Sequence, residues 1–192
     1  MPRDDVDDFW DLVEQVRARA GRGEFVDGLT LELTRRPIPR IARFHATAML
    51  LANRAATWEM LAAADIVFAR HGGCSGDSFV DFRLWLLHLG RDVFEDVLAD
   101  PDTLADVPEI AALAGDRPWT NADFPGMGEL CGIGEHAFEL VLDKISPTIA
   151  AGIEPPDEFD ERPSEMPRDR YVRFGGAASR ARFPQLAELF GG

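Results

Sequence analysis

The sequence predicts an all-α protein, a single compact multi-helix domain with a central buried helix at about residues 78–89 and a C-terminal strap rich in Pro and acid. Three observations carry this reading. Between Ser78 and Leu89, Phe79, Phe82, Leu86 and Leu89 lie on one side of a helix, while Val80, Leu84 and Leu87 fill most of the rest. A helix apolar nearly all round is a buried one. Elsewhere apolar residues recur at helical spacing between Gly, Pro and capping residues. Strand alternation is absent apart from a weak Tyr171-Val172-Arg173-Phe174.

Asp4, Asp5, Asp7 and Asp8 open the first predicted helix, which runs through Phe9, Leu12, Val13 and Val16 to Arg17 and Arg19, with Gly21 beyond. Acid first, base last and Gly at the exit suit the helix dipole and its caps. A second helix, from about Glu24 to Arg35, places Val26, Leu29 and Leu33 on one face and stops before Pro37. Pro39 opens a third, with Ile41, Phe44, His45 and Ala48 on its apolar side. Thr57 is suited to cap a fourth, Trp58 to about Arg70. No Gly or Pro separates the third from the fourth, so one long helix is the alternative.

Gly72 and Gly73 then stop the chain, Ser75 or Asp77 caps the central helix, and Gly90 ends it. Val93, Phe94, Val97 and Leu98 mark a helix over 92–99. Asp100-Pro101 and Pro108 each start a short one. Residues 115–128, with three Gly, two Pro, Trp119 and Phe124, read as an ordered loop laid over the core. Helix resumes over 129–145, although Gly132 and Gly134 each cost about 1 kcal/mol relative to Ala, which suggests close packing there. Residues 153–170, rich in Pro and acid, are expected to form an extended or mobile strap, and Phe183 to Phe190 a short amphipathic helix that docks back. The division expected is a helical domain over 1–150, then a strap and docking helix over 151–192.

Rare residues cluster between Gly72 and Ala105. They read Gly-Gly-Cys-Ser, then Phe79-x-Asp81-Phe82-Arg83-x-Trp85-Leu86, Gly90-Arg91, Phe94-Glu95 and Leu98-Ala99-Asp100-Pro101-Asp102-x-Leu104-Ala105. This run resembles the signature of a bacterial family of domains of unknown function catalogued under number 4240. Phe9-Trp10 and a closing Phe183-Pro184-x-Leu186-Ala187 extend the likeness. Gly76, where members often carry a second acid, and His71 depart from it. The resemblance implies a helical fold and no particular activity.

Acids outnumber bases by 34 to 20, giving a formal charge of -14. Such a field repels phosphate backbones and anionic lipid, so neither nucleic acid nor membrane is an expected partner. Lys144 is the single Lys beside 19 Arg, the bias of a high-GC bacterial genome. Two Cys make no disulfide framework, and neither a signal peptide nor a long apolar run is visible, so a reducing cytoplasm is expected.

The candidate chemistry gathers on the central helix. Cys74 stands just ahead of a helix N-terminus, where a thiolate nucleophile is favoured. The structural reading, a small residue packed under a tight turn, is preferred because free Cys is usually buried and no base stands beside it. Asp77, Asp81, Trp85 and His88 share one stripe of the helical wheel, either a cleft or merely an exposed edge with first-turn acids. Asp81 and His88 are about 10 Å apart along the axis and make no dyad by themselves. Arg83, flanked by apolar residues, is expected to pair with an acid from another helix. His45 reads as a satisfied core residue. His71-x-x-Cys74 with Cys131-x-x-x-x-His136 has zinc-ligand atoms but weak spacing, so no metal and no cofactor is expected.

Two functions of different class follow. The preferred one is a non-catalytic interaction or regulatory module that binds a basic or amphipathic protein or peptide segment, with Asp77, Asp81, Arg83 and Trp85 as binding candidates. The alternative is a small enzyme or ligand-binding protein with a pocket at the Gly72–Asp77 turn, using Cys74, Asp77, Asp81 and His88. A His nitrogen within reach of the Cys74 sulfur in an open cleft would favour the second.

Overall fold

The structure, a computed structural model, describes residues 3–115, 117–168 and 176–191. In chain order the helices are α1 (Arg3–Arg17), α2 (Phe25–Leu33), α3 (Ile38–Arg54), α4 (Trp58–Val67), α5 (Gly76–His88), α6 (Arg91–Ala99), α7 (Pro108–Ala111), α8 (Ile133–Leu142), α9 (Pro147–Ala150), α10 (Ala177–Arg182) and α11 (Pro184–Phe190). Single 3-10 turns occur at 22–24, 69–71, 101–106, 128–132 and 157–160. No strand occurs among the described residues, and the protein is all-α. The weak alternation at Tyr171–Phe174 lies outside them.

The chain groups into two units, one of Met1–Leu51 with Glu129–Pro163, the other of Ala52–Gly128 with Ser164–Gly192. None of the three boundaries falls at residue 150, where the composition changes. Composition reports exposure to solvent, whereas the grouping reports which residues touch.

In the first unit α2 packs against α1 and α8. The apolar stripe of α1 buries Phe9, Trp10, Leu12, Val13 and Val16, and Phe9 meets Phe44 of α3 at 4.7 Å between ring centroids. The helix predicted over 129–145 is split into the 3-10 turn at 128–132 and α8. Gly134 explains part of the glycine content, because a Cβ there would stand 2.7 Å from the His45 Cβ and 2.8 Å from the Phe159 ring. The strap bends into its own 3-10 turn at 157–160, driving Phe159 inward against Phe138 at 5.5 Å.

In the second unit α5 packs against α4 and α6, and buries Phe79, Phe82, Leu84, Leu86 and Leu87 as its pattern predicts. The uncertain junction before α4 is a true break. Thr57 has extended backbone and its hydroxyl accepts the Met60 N–H at 3.1 Å, which supplies a start signal that needs neither Gly nor Pro. The loop ending at Gly128 lies over an aromatic cluster. Phe124 and Trp119 approach Phe68 at 4.9 and 6.1 Å, and Trp119 Nε1 donates to the Leu113 carbonyl. Residues 183–190 dock as predicted, with α11 against α4 and the 101–106 turn, burying Leu186 and Phe190. Helices α9 and α10, one turn each or little more, are not legible in the sequence.

Candidate functional site

The site is built on the second unit, where α4 hands over to α5. Phe68 ends α4, a 3-10 turn carries Ala69 to His71, and Gly72 and Gly73 follow with φ of 90° and 95°. L side chains resist that region, and Gly enters it without steric cost. The second glycine also meets a neighbour, since a Cβ on Gly73 would lie 3.1 Å from Asp65 Oδ1. That oxygen is occupied: it accepts the Cys74 N–H at 2.7 Å. Ser75 then caps α5, its Oγ accepting the Ser78 N–H at 3.1 Å and donating to the Ser78 Oγ at 2.9 Å.

Within this corner the Cys74 thiol is half-buried and its Sγ donates to the Ser75 carbonyl at 3.7 Å. Burial, with Asp65 adding to it, pushes its pKa up to about 12. Such a thiol stays protonated at neutral pH and lacks the thiolate a nucleophile needs. His71 sits against Trp119, with ring centroids 4.2 Å apart. A cavity of about 280 Å³ opens beside the corner, lined by Asp65, Ile66, Arg180 and Phe190 among others, and Cys74 is not part of its wall.

The stripe along α5 divides in two. Asp77 is exposed and Asp81 half-buried. Trp85 and His88 are only 0% and 8% exposed, so the stripe is neither an open cleft nor an exposed edge beyond its first turns. Trp85 stacks on Phe82 at 5.7 Å between centroids. Asp81 lies under the loop that ends at Gly128: its carbonyl accepts the Met127 N–H at 3.1 Å, and a Cβ on Gly128 would stand 2.5 Å from its carboxylate.

Arg83 corrects an expectation. Its guanidinium pairs with no acid among the described contacts, and instead donates to the carbonyls of Phe79 (3.2 Å), Ala52 (3.3 Å) and Ser164, and lies 4.8 Å over the Phe79 ring. It is 0% exposed, and burial, with Arg168 adding to it, pulls its pKa down to about 10. A planar fork of donors can tie three separate backbone segments at once, which a carboxylate pair would not do. Arg83 and Trp85, named as binding candidates, therefore present no side chain to solvent.

Two further residues hold equal weight, Asp102, to which the sequence assigned no role, and His45, read there as a satisfied core residue. Asp102, 3% exposed, accepts the Gln185 and Leu186 N–H groups at 3.1 and 3.0 Å, capping α11 from a distant part of the chain. The pairing of an acid-bearing turn with a helix whose own Phe183 cannot cap it was the available signal. In the first unit, the His45 Nε2 lies 3.0 Å from the Glu161 carbonyl and burial lowers its pKa below the usual value. His45 is a core residue, yet only partly satisfied, since its Nδ1 has no hydrogen-bond partner among the described residues. Among the described residues no group of three or more His, Cys, Asp or Glu is placed to hold a metal ion, and no helix is long and apolar enough to cross a membrane.

The family profile described as "Protein of unknown function (DUF4240)" matches residues 5–140. The match takes in Phe9-Trp10 and the whole Gly72–Ala105 run, and stops short of Phe183–Ala187. No curated protein and no solved structure matches the chain significantly. The chain belongs to this family.

Proposed function

We propose that this family member is a non-catalytic interaction module whose partner is a basic or amphipathic protein or peptide segment. The observation that carries the reading is the strap of the first unit. Between residues 153 and 163 the strap holds five acids and one base. Phe159 is buried, and Arg162 donates to its carbonyl and pairs with Glu135. Around that anchor Glu154, Asp157, Glu158, Asp160 and Glu161 face solvent without an ion-pair partner among the described residues. Carboxylates held in place on an anchored turn attract a cationic segment without first having to be ordered. The corner in the second unit adds support from the other side, because its protonated Cys74 and carbonyl-bound Arg83 suit a scaffold better than catalysis.

A cytoplasmic, bacterial setting accords with this reading. The test is titration of the full chain with a Lys-rich amphipathic peptide from about 0.05 to 0.5 M salt, where screening should weaken binding progressively. A variant with Asp157→Asn, Glu158→Gln and Asp160→Asn should bind less tightly. Salt-independent binding, an unaffected variant, or tighter binding to duplex DNA would overturn the proposal.

A further inference from the structure

A second surface of the first unit has the opposite charge. In a chain with a formal charge of -14, Arg35, Arg36, Arg40 and Arg43 fall within nine residues. Three of them, Arg36, Arg40 and Arg43, line one groove whose floor is Phe9, Leu12, Leu33 and Phe44. These cations sit at the N-terminal end of α3, whose first turn carries no acid. Positive charge at the positive end of a helix dipole is unfavourable, and the arginines also repel one another. Helix α1 obeys the dipole, with Asp4 and Asp5 first and Arg17 last, so the departure is particular to α3.

The groove relieves this only in part. Arg40 pairs with Asp8, and Asp5 also lines the groove. Arg36 and Arg43 are exposed and take no acid partner among the described residues. Two free guanidinium forks above an aromatic and aliphatic floor match one kind of occupant, a carboxylate beside an apolar group. The groove is about 360 Å³ counting its open mouth, of which about 30 Å³ admits the centre of a water-sized group. That is room for one small group rather than for a whole metabolite, so a ligand would lie along the groove. An extended or helical peptide fits this shape, with an apolar side chain on the floor and acidic side chains to the arginines.

The geometry points to the groove between α1, α2 and the start of α3 as a docking site for an acidic peptide segment carrying an aromatic or aliphatic anchor. This is a site separate from the acidic strap and of opposite preference. One protein could in this way hold a basic segment and an acidic segment together.

The test is fluorescence anisotropy of the full chain with a short labelled peptide of Asp, Glu and two Phe. Arg36→Gln with Arg43→Gln should weaken binding roughly fivefold, as expected for losing two exposed charge pairs, while Arg17→Gln, whose side chain is bonded to Glu14 in α1, should leave it unchanged. Replacing both Phe by Ser in the peptide should also weaken it. Because Arg36 and Arg43 make no internal ion pair and are unfavourable at the positive end of α3, the double variant should melt no lower than the wild type. No binding, equal binding by the double variant, or displacement by inorganic phosphate at the same concentration as the peptide would overturn the proposal, the last marking a small-anion site only. Binding of the Lys-rich peptide by the double variant is a separate readout. Its persistence alongside lost acidic-peptide binding supports two sites, and its loss together with the acidic peptide would overturn the separation claimed here.

Discussion

The corner of the second unit and the rim of the first treat polar residues in opposite ways. In the second unit the buried Arg83 and Asp102 spend their hydrogen bonds on backbone groups of the same chain. At the rim, the carboxylates around Phe159 and the guanidinium groups of Arg36 and Arg43 face water without ion-pair partners among the described residues. A buried polar group must be satisfied internally or the fold loses stability. An exposed one is satisfied by water and stays free to meet a partner. The difference shows how residues that read as chemistry in a sequence can serve packing: Arg83, Trp85 and Asp102 of the Gly72–Ala105 signature are buried in the fold.

The sharpest way to break this contrast is Arg83→Ala. It deletes a buried side chain and leaves the carbonyls of Ala52 and Ser164 without their donor, so the loss should be about 3 to 5 kcal/mol by urea unfolding. A loss under about 1 kcal/mol, the range of surface changes, would mean that the corner is not held together by this residue.

Asp102→Ala should come next, at about 1 to 3 kcal/mol, because two N–H groups at the start of α11 lose a buried acceptor. Hydrogen exchange should quicken at residues 184–190 before it does in α5. Equal protection in variant and wild type would show that apolar burial of Leu186 and Phe190 suffices to dock the helix.

The smallest effect belongs to Cys74. A thiol pushed up to about 12 should react slowly with iodoacetamide from about pH 7 to about pH 9, where an ordinary thiol is already largely ionised. Since the folded pKa exceeds the unfolded one, its stabilisation is complete below about pH 9 and is lost as pH rises toward about 12. Cys74→Ala should therefore lose less stability than the wild type over that alkaline window. Fast labelling at neutral pH would return Cys74 to the nucleophile reading and erase the contrast between the two regions.

The sequence by itself determined most of the longer helices and their order. The apolar circumference of α5, the acids ahead of Phe9, the Pro at the starts of α7 and α11 and the glycines at 72, 73 and 90 are local signals, legible because helix period, caps and positive φ depend on neighbours in the chain. The burial of Phe79, Phe82 and Leu86, and the ordered loop carrying Trp119 and Phe124, were legible for the same reason. Only the tertiary structure decided what the polar residues do. Nothing within a few residues of Arg83 announces that its partners are Ala52 and Ser164, and the hint that Asp102 meets Leu186 lies far along the chain, in a helix that Phe183 cannot cap. Period also placed Trp85 and His88 on a polar stripe, whereas packing buried them, since the wheel knows which residues share a face but not what covers it. The groove of Arg36 and Arg43 was hidden in the same way: its floor comes from α1, α2 and α3 together, and charge without partners among the described residues becomes visible only once those residues have a place.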